Sequence, residues 1–343
     1  MSKQGTKKEE GTINPIASMK PDHIRHLDSS TIDKISWSDF SRFNDEQLIA
    51  IGELLNKSET DAFGFCYTIP PFVLGPLPQS SYNENHFSRK FRWQQIDYSN
   101  SHGEKLPCGS AARIILFHII TTLVHTGEPY VDLKENVSEL MRSFGITPSY
   151  GEKGTVRKYE EALLALMRTV IGIRTTRVTQ TEQVVEEIRF PIFCRDSMRL
   201  NKHGIVAGMA EVSQDFANVV AQSRVVLHRP TVVELCKHRS PAALDIYIWG
   251  TYTNFYLRKS GKHNITLTWD EVYELFSTKT SPKNTFRRDF AKKVEIVTNL
   301  YPQLKLIPTK KCVTLWRTQT HVKPVDVKKP YTSVRKATSL PAG

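Results

Sequence analysis

The chain of 343 residues contains five cysteines: Cys66, Cys108, Cys194, Cys236 and Cys312. They are scattered, odd in number and form no C-x-x-C pair. That pattern argues against a disulfide framework or a structural zinc site and fits reduced thiols in a cytoplasm. Long apolar runs are missing as well. No stretch approaches the ~18–20 uninterrupted apolar residues that a membrane span needs. The opening MSKQGTKKEEGTINP has no apolar h-region, so no secretory signal is expected.

Signatures of chemistry are equally scarce. Gly261-Lys262 is followed by His263, so no phosphate-binding G-x-x-x-x-G-K-[ST] loop is formed. There is no H-E-x-x-H and no metal-spaced histidine pair. His118 and His125 lie on an apolar helical run and read as core or boundary histidines. Cys236-Lys237-His238 is an isolated juxtaposition. No His-x-His with a downstream tyrosine marks a nicking enzyme. Tyr247, Tyr252 and Tyr256 share one helical run with Trp249 and Phe255, where packing accounts for them. We therefore expect no catalytic residue, no metal and no cofactor.

What is present is positive charge, a formal net +12. An excess of that size favours a polyanionic partner, nucleic acid first and an anionic membrane surface second. A solvated basic surface with no partner has the same composition.

Residues 1–35 read as a disordered arm, polar and with little periodicity. Residues 36–105 form an N-terminal extension of uncertain structure. Within it, Leu48, Ile51, Leu54 and Leu55 have helical spacing, with Asn44 or Asp45 as cap. Prolines 70, 71, 76 and 78 exclude a long helix after it. His86–Asn100 reads as a strand. Its Arg89, Lys90 and Arg92 beside Phe87, Phe91 and Trp93 resemble a basic-aromatic nucleic-acid surface. The commoner source of such a pattern is a strand with one buried and one solvated face.

From Gly109-Ser110 an apolar helix runs to about Gly127 and belongs at the centre of its domain. Val131–Leu133 reads as a short strand, and ENVSELMRSFG as a short amphipathic helix. TVRKYEEALLALMRTV is the next helix, followed by a hairpin turning near Gln180–Glu182. A mixed connector leads to the strand SRVVLHRP. Ser240 to Trp316 then repeats the plan. A helix capped by Ser240 with Pro241 in its first turn precedes a strand, a helix, a basic helix and a final hairpin. The tail after Val322 has five basic residues, one acidic residue and three prolines, and reads as disordered.

Short matches between the two halves support a duplication. Ser110-Ala-Ala corresponds to Ser240-Pro-Ala-Ala, and Val131-x-Leu133 after Gly127 to Ile265-x-Leu267 after Gly261. Val137-x-Glu139-Leu140-Met141 corresponds to Val272-x-Glu274-Leu275-Phe276, and Thr155-x-Arg157-Lys158 to Thr285-x-Arg287-Arg288. The expected fold class is α+β: two tandem winged-helix domains at 106–222 and 223–321, with a basic disordered tail at 322–343. Two such heads on one chain suit successive major-groove faces of a duplex.

The third helix of each unit is the candidate reading helix. In the second unit, Phe286, Phe290, Val294 and Val297 share one face, Asn284, Arg288 and Lys292 the other, and Arg287 the border. Arginine matches guanine O6/N7 and asparagine matches adenine, at about 1–3 kcal/mol of discrimination per bidentate contact. Lys283 opens the helix, and Lys292 suits phosphate. The wing-tip Lys310 and Lys311, with Arg317 further along the strand, suit phosphates too. In the first unit, Val156, Tyr159, Leu163, Leu166, Met167 and Val170 share a face. Arg157, Lys158 and Arg168 lie opposite, with Lys153 and Thr155 at the start. Glu160 and Glu161 weaken that field, and the wing tip TQTE is not basic. Taken alone, such a helix reads first as a solvated basic face; the order of elements and the repeat reverse that in favour of DNA.

These residues resemble the plasmid-encoded RepA-type replication initiators. The pieces that carry the resemblance are LPCGSAARI, VSELMRSFGI, KGTVRKYEEALLALM, RSPAALDIYIW and FRRDFAKKV followed by YPQL, over roughly residues 100–322. Cys108 stands where an aromatic residue is expected. The resemblance implies a cytoplasmic, plasmid-associated bacterial protein that binds repeated origin sequences (iterons) and opens nearby DNA. It also implies the host replicative helicase and initiator proteins as partners, a self-dimer and a role in copy control. A transcriptional regulator on the same scaffold is the alternative, and a DNA-nicking enzyme the third.

Overall fold

The computed structural model describes Met19, Lys20, His23 and residues 64–322, apart from 82–83, 101, 133–136, 179–181, 197–198, 202–203, 207–208 and 279–280. The expected arm, the helix around Leu48–Leu55 and the tail after Val322 lie outside the described residues. The chain divides into Met1–Phe65 and Cys66–Gly343, and the strands and helices from Cys66 onward belong to the second unit.

Strand β1 (Phe65–Thr68) leads into α1 (Pro70–Leu74), a single turn started by proline and ended before Pro76. The stretch expected as one strand is two, β2 (His86–Phe91) and β3 (Gln94–Asn100), paired antiparallel around Arg92-Trp93. The turn carries no glycine or asparagine. Arg92 supplies the left-handed backbone itself, at φ 55°. Phe87, Arg89 and Phe91 of β2 are buried, as one face of a strand should be.

Helix α2 (Gly109–Thr126) is buried over most of its circumference, and Gly127 closes it in the left-handed region at φ 68°. By length and composition α2 is apolar enough to cross a membrane. Its Arg113, however, is buried against Asp245, which marks the core helix of a folded unit. After β4 (Tyr130–Asp132) come α3 (Val137–Ser143) and α4 (Thr155–Met167). Helix α4 stops sooner than expected. The run Thr169, Val170, Ile171, Ile173 is β-branched and opens β5 (Thr169–Val178), so Val170 lies on a strand. Strand β6 (Gln183–Pro191) completes the hairpin, with its turn largely outside the described residues.

The connector is richer than its mixed composition suggested. It holds β7 (Phe193–Asp196), β8 (Arg199–Asn201), β9 (Gly204–Val206), β10 (Met209–Val212) and α5 (Gln214–Gln222). Ser213 caps α5 by accepting from the Phe216 amide. Strand β11 (Val225–His228) precedes α6 (Arg229–Lys237), a helix concealed at the sequence level by its Pro230. The final run is α7 (Pro241–Lys259), β12 (Asn264–Thr268), α8 (Trp269–Phe276), α9 (Lys283–Leu300), β13 (Lys305–Pro308) and β14 (Cys312–Trp316).

Helix–strand–helix–helix–hairpin order thus recurs as α2-β4-α3-α4-β5-β6 and α7-β12-α8-α9-β13-β14. The strand pairings differ. In the second copy β12, β14 and β13 form one antiparallel sheet. In the first, β4 pairs with β10, while the β5–β6 hairpin extends a sheet of order β2-β3-β5-β6. The fold is a mixed arrangement of helices and antiparallel strands.

The copies are joined through their core helices. Arg113 of α2 donates to Asp245 of α7 at 2.7 and 2.6 Å, and to the carbonyls of Leu77, Pro78 and Gly109. Arg89 is fully buried and donates to Pro76, Glu274 and Ser277 carbonyls, so it caps the C-terminal end of α8. Burial pulls its guanidinium down to about 10, partly offset by Asp245, so it stays charged at neutral pH.

Candidate nucleic-acid interface

Thr268 ends β12 and caps α8. Its hydroxyl accepts from the Glu271 amide, and the Glu271 carboxylate accepts in return from the Thr268 amide. Two signals in the sequence, the threonine and the glutamate three residues on, mark that start. Helix α9 then buries Phe286, Phe290, Val294 and Val297, the stripe expected from its spacing. Asn284, Arg287, Arg288 and Lys292 are exposed, as is Lys283 at the first position. Phe290 packs edge-on against Trp269 at 5.8 Å, and Phe286 against Tyr273 at 5.1 Å, which fixes the rotation of α9 on α8.

Trp269 is the joint of this surface. Its indole N–H donates to the Thr309 carbonyl at 3.0 Å, tying the hairpin turn to the start of α8. The guanidinium of Arg287 lies 5.3 Å from the centre of its ring. The Thr309 hydroxyl also accepts from the Cys312 and Lys311 amides, so Lys310 and Lys311 project from a structured tip. In the sequence Trp269 carries no mark of this role, although its place directly after the capping threonine is visible.

Acidic groups temper the charge. Lys283 pairs with Asp270 at 2.6 Å, which holds the Asp270 carboxyl below its usual range and the lysine above its own. Arg288 lies 3.8 Å from Asp289, a weak exposed pair. Arg317 is placed apart from the tip. It follows β14 at the end opposite Lys311, roughly 20 Å away at ~3.3 Å per residue, and its side chain reaches the Gly261 carbonyl.

On α4, Tyr159, Leu163, Leu166 and Met167 are buried and Val156 is half-buried. Gly154 caps the helix, and a Cβ there would collide with the Ser149 carbonyl. Thr155 is engaged by Ser149 in reciprocal bonds, which stiffens the turn before the helix. Lys153, Arg157 and Lys158 are exposed around this start. Arg157 spends part of its charge on Glu161 at 3.1 Å. Arg168 sits at the other end of α4, paired with Glu104, and so joins no cluster with Arg157 and Lys158. Among the described residues no group of histidine, cysteine and carboxylate side chains has the arrangement of a metal site.

Residues 106–271 match the family described as plasmid encoded RepA protein. Over that region, a little under half of the chain, the sequence is similar to the family. The RepA match spans all of the first copy and reaches the first turn of α8, so α9 and the β13–β14 hairpin lie beyond it. No curated protein matches the chain. Two crystal structures of RctB domains 2 and 3, one of a selenomethionine derivative, resemble it at 12% identity. They cover 73% and 72% of this chain and 99% and 96% of theirs, with TM-scores of 0.44 and 0.42, too distant a likeness to inform function.

Proposed function

We propose that the chain is a plasmid replication initiator that binds repeated origin sites through two winged-helix heads, residues 106–222 and 223–321. The match of residues 106–271 to the plasmid encoded RepA family supports the initiator role. The observation that carries DNA reading is α9. It has an apolar face locked onto α8 and an opposite face of Asn284, Arg287, Arg288 and Lys292, flanked by the Trp269-anchored Lys310–Lys311 tip. In this reading Arg288 and Asn284 meet base edges, and Lys283, Lys292, Lys310 and Lys311 meet phosphates. Lys153, Thr155, Arg157 and Lys158 serve the first head. Arg168 and Arg317 lie outside the two contact surfaces and serve, at most, adjacent backbone. Origin opening, recruitment of the host helicase, self-dimerisation and copy control follow from the initiator role and belong to the same proposal.

The test has two parts. Duplexes selected by the purified chain from a random pool should converge on one sequence, bound more tightly in direct-repeat arrays than singly. A replicon carrying the gene and those repeats should be maintained in a host unable to use the replicon's usual origin. Convergence without maintenance would make the protein a regulator; no convergence would sink sequence-specific reading altogether.

A further inference from the structure

We infer that the tip of the β2–β3 hairpin is a third contact element for duplex DNA, beside α9 and the wing. The inference rests on the DNA-binding reading above and extends it to residues outside the family match. Three observations place the tip there.

The first is anchoring to the start of α8. The Arg92 Nε donates to Glu271 at 3.2 Å, on the same turn whose Asp270 pairs with Lys283 of α9. Behind it, Arg89 donates to the carbonyls of Glu274 and Ser277. The hairpin is therefore fastened at both ends of α8, the helix on which α9 is packed. The ion pair occupies only Nε of Arg92. Its Nη nitrogens make no hydrogen bond among the described residues, which leaves part of the guanidinium fork for a phosphate.

The second is the surface itself. Lys90 and Arg92 are exposed, and Trp93 between the strands is 57% exposed, the most open tryptophan among the described residues. A large indole beside two cations is poorly suited to water and well suited to the sugar edge of a nucleic-acid backbone. Net positive charge selects a polyanion over an apolar protein surface.

The third is the backbone of Arg92, held at φ 55° where glycine or asparagine is the ordinary choice. An arginine kept in a position that costs folding energy points to a demand on its side chain.

The test uses the full chain and a labelled duplex of about thirty base pairs, three helical turns at ~10 base pairs each, carrying the sequence selected by the wild type. Arg92→Gly keeps the turn because glycine accepts that φ freely. The Lys90→Ala/Arg92→Gly pair should lower the slope of log K against log salt by about two contacts, each ~0.9, without changing site preference. Trp93→Ala should weaken binding several-fold, and Trp93→Phe should recover part of it. Hydroxyl-radical protection should disappear on one flank of the footprint. Circular dichroism of each variant should match the wild type. An unchanged slope and footprint, while Arg288→Ala and Lys310→Ala still impair binding, would overturn the hairpin contact and leave α9 as the reader. If the wild type itself selects no sequence, the DNA reading falls and the hairpin contact with it.

Discussion

The two copies share an order of elements but assign their hairpins to different tasks. In the second, β12 pairs with β14, so strand, hairpin and three helices close on themselves and the tip projects with Lys310 and Lys311. In the first, β4 turns away to β10, and β5 is paired on both sides, by β3 and β6. Most of β6 is exposed, with Val184, Val185 and Ile188 open to solvent beside Glu186, Glu187 and Arg189. Ion pairs between Arg174, Arg189 and Glu187 neutralise much of its charge. The same plan therefore gives one free hairpin with a basic tip and one hairpin absorbed into a larger, charge-balanced sheet. Charge placed on the tip of a self-contained hairpin is available to a partner; charge paired within a sheet is not.

The sharpest way to break the comparison is to cut the joint between the copies. Asp245→Ala leaves the Arg113 guanidinium buried without its carboxylate, and should cost about 3–5 kcal/mol in denaturant unfolding. Arg113→Met combined with Asp245→Leu should recover only part of that loss: a packed apolar pair avoids desolvating two charges, but the Leu77 and Pro78 carbonyls lose their donor. A loss below ~1 kcal/mol for Asp245→Ala, within the range of an exposed pair, would mean that water reaches the ion pair.

Next comes the contrast between α9 and α4, the proposed reading helices. Arg288→Ala should lose about 1–3 kcal/mol of discrimination at one base pair, seen as relaxed preference in competition binding. Arg157→Ala should change specificity less, because Glu161 already engages that side chain. Equal effects would make the copies equivalent readers and remove the asymmetry between them.

How far sequence carries this picture can be seen in the same elements. The face of α9 is legible because Phe286, Phe290, Val294 and Val297 keep one period without interruption. The start of α7 is legible from Ser240 and Pro241, and Ser240 indeed accepts from the Ala243 amide. Pairing is not legible. Nothing in VDL tells whether that strand joins the hairpin or β10, since the choice is made by a segment about eighty residues on, and strand partners are set by tertiary packing. The β2–β3 turn is hidden for a local reason: an arginine holds a conformation that normally advertises itself as glycine. Arg89 looks like part of a basic surface, yet its charge is spent inside the protein on helix carbonyls, a use that composition cannot distinguish. Trp269 shows the reverse, a buried aromatic whose N–H positions the β13–β14 hairpin.

A smaller effect separates the wings. Lys310→Ala should weaken binding on all sequences alike and lower the salt slope by about one. Glu182→Ala, at the edge of the first wing, should leave the slope unchanged within error. A change of slope in the first wing equal to that in the second would show that both tips lie on phosphate.

A last contrast concerns the segment on the far side of each hairpin. After β6 the chain enters β7, but after β14 it lays Thr318–His321 along α7. The Asn254 side-chain carbonyl accepts from the Thr318 amide, Tyr301 donates to the Gln319 carbonyl, and the His321 ring stacks on Tyr301 at 4.3 Å. His321 also faces the Tyr247 hydroxyl at 3.2 Å and the His228 ring at 4.7 Å, and none of these contacts is a carboxylate. Burial, with His228 adding to it, pushes His321 down to about 4. Because the folded value is depressed below the ordinary 6.5, protonation favours the unfolded chain. The contribution of this contact is then full above about pH 6.5 and is lost as pH falls toward about 4. His228, also lowered by burial, adds in the same direction. His321→Phe retains a ring against Tyr301 and should flatten the dependence of Tm on pH between about 6.5 and 4. A wild-type Tm that falls no more steeply than that of the variant over this range would show that the segment after β14 is held through Asn254 and Tyr301 and not through His321.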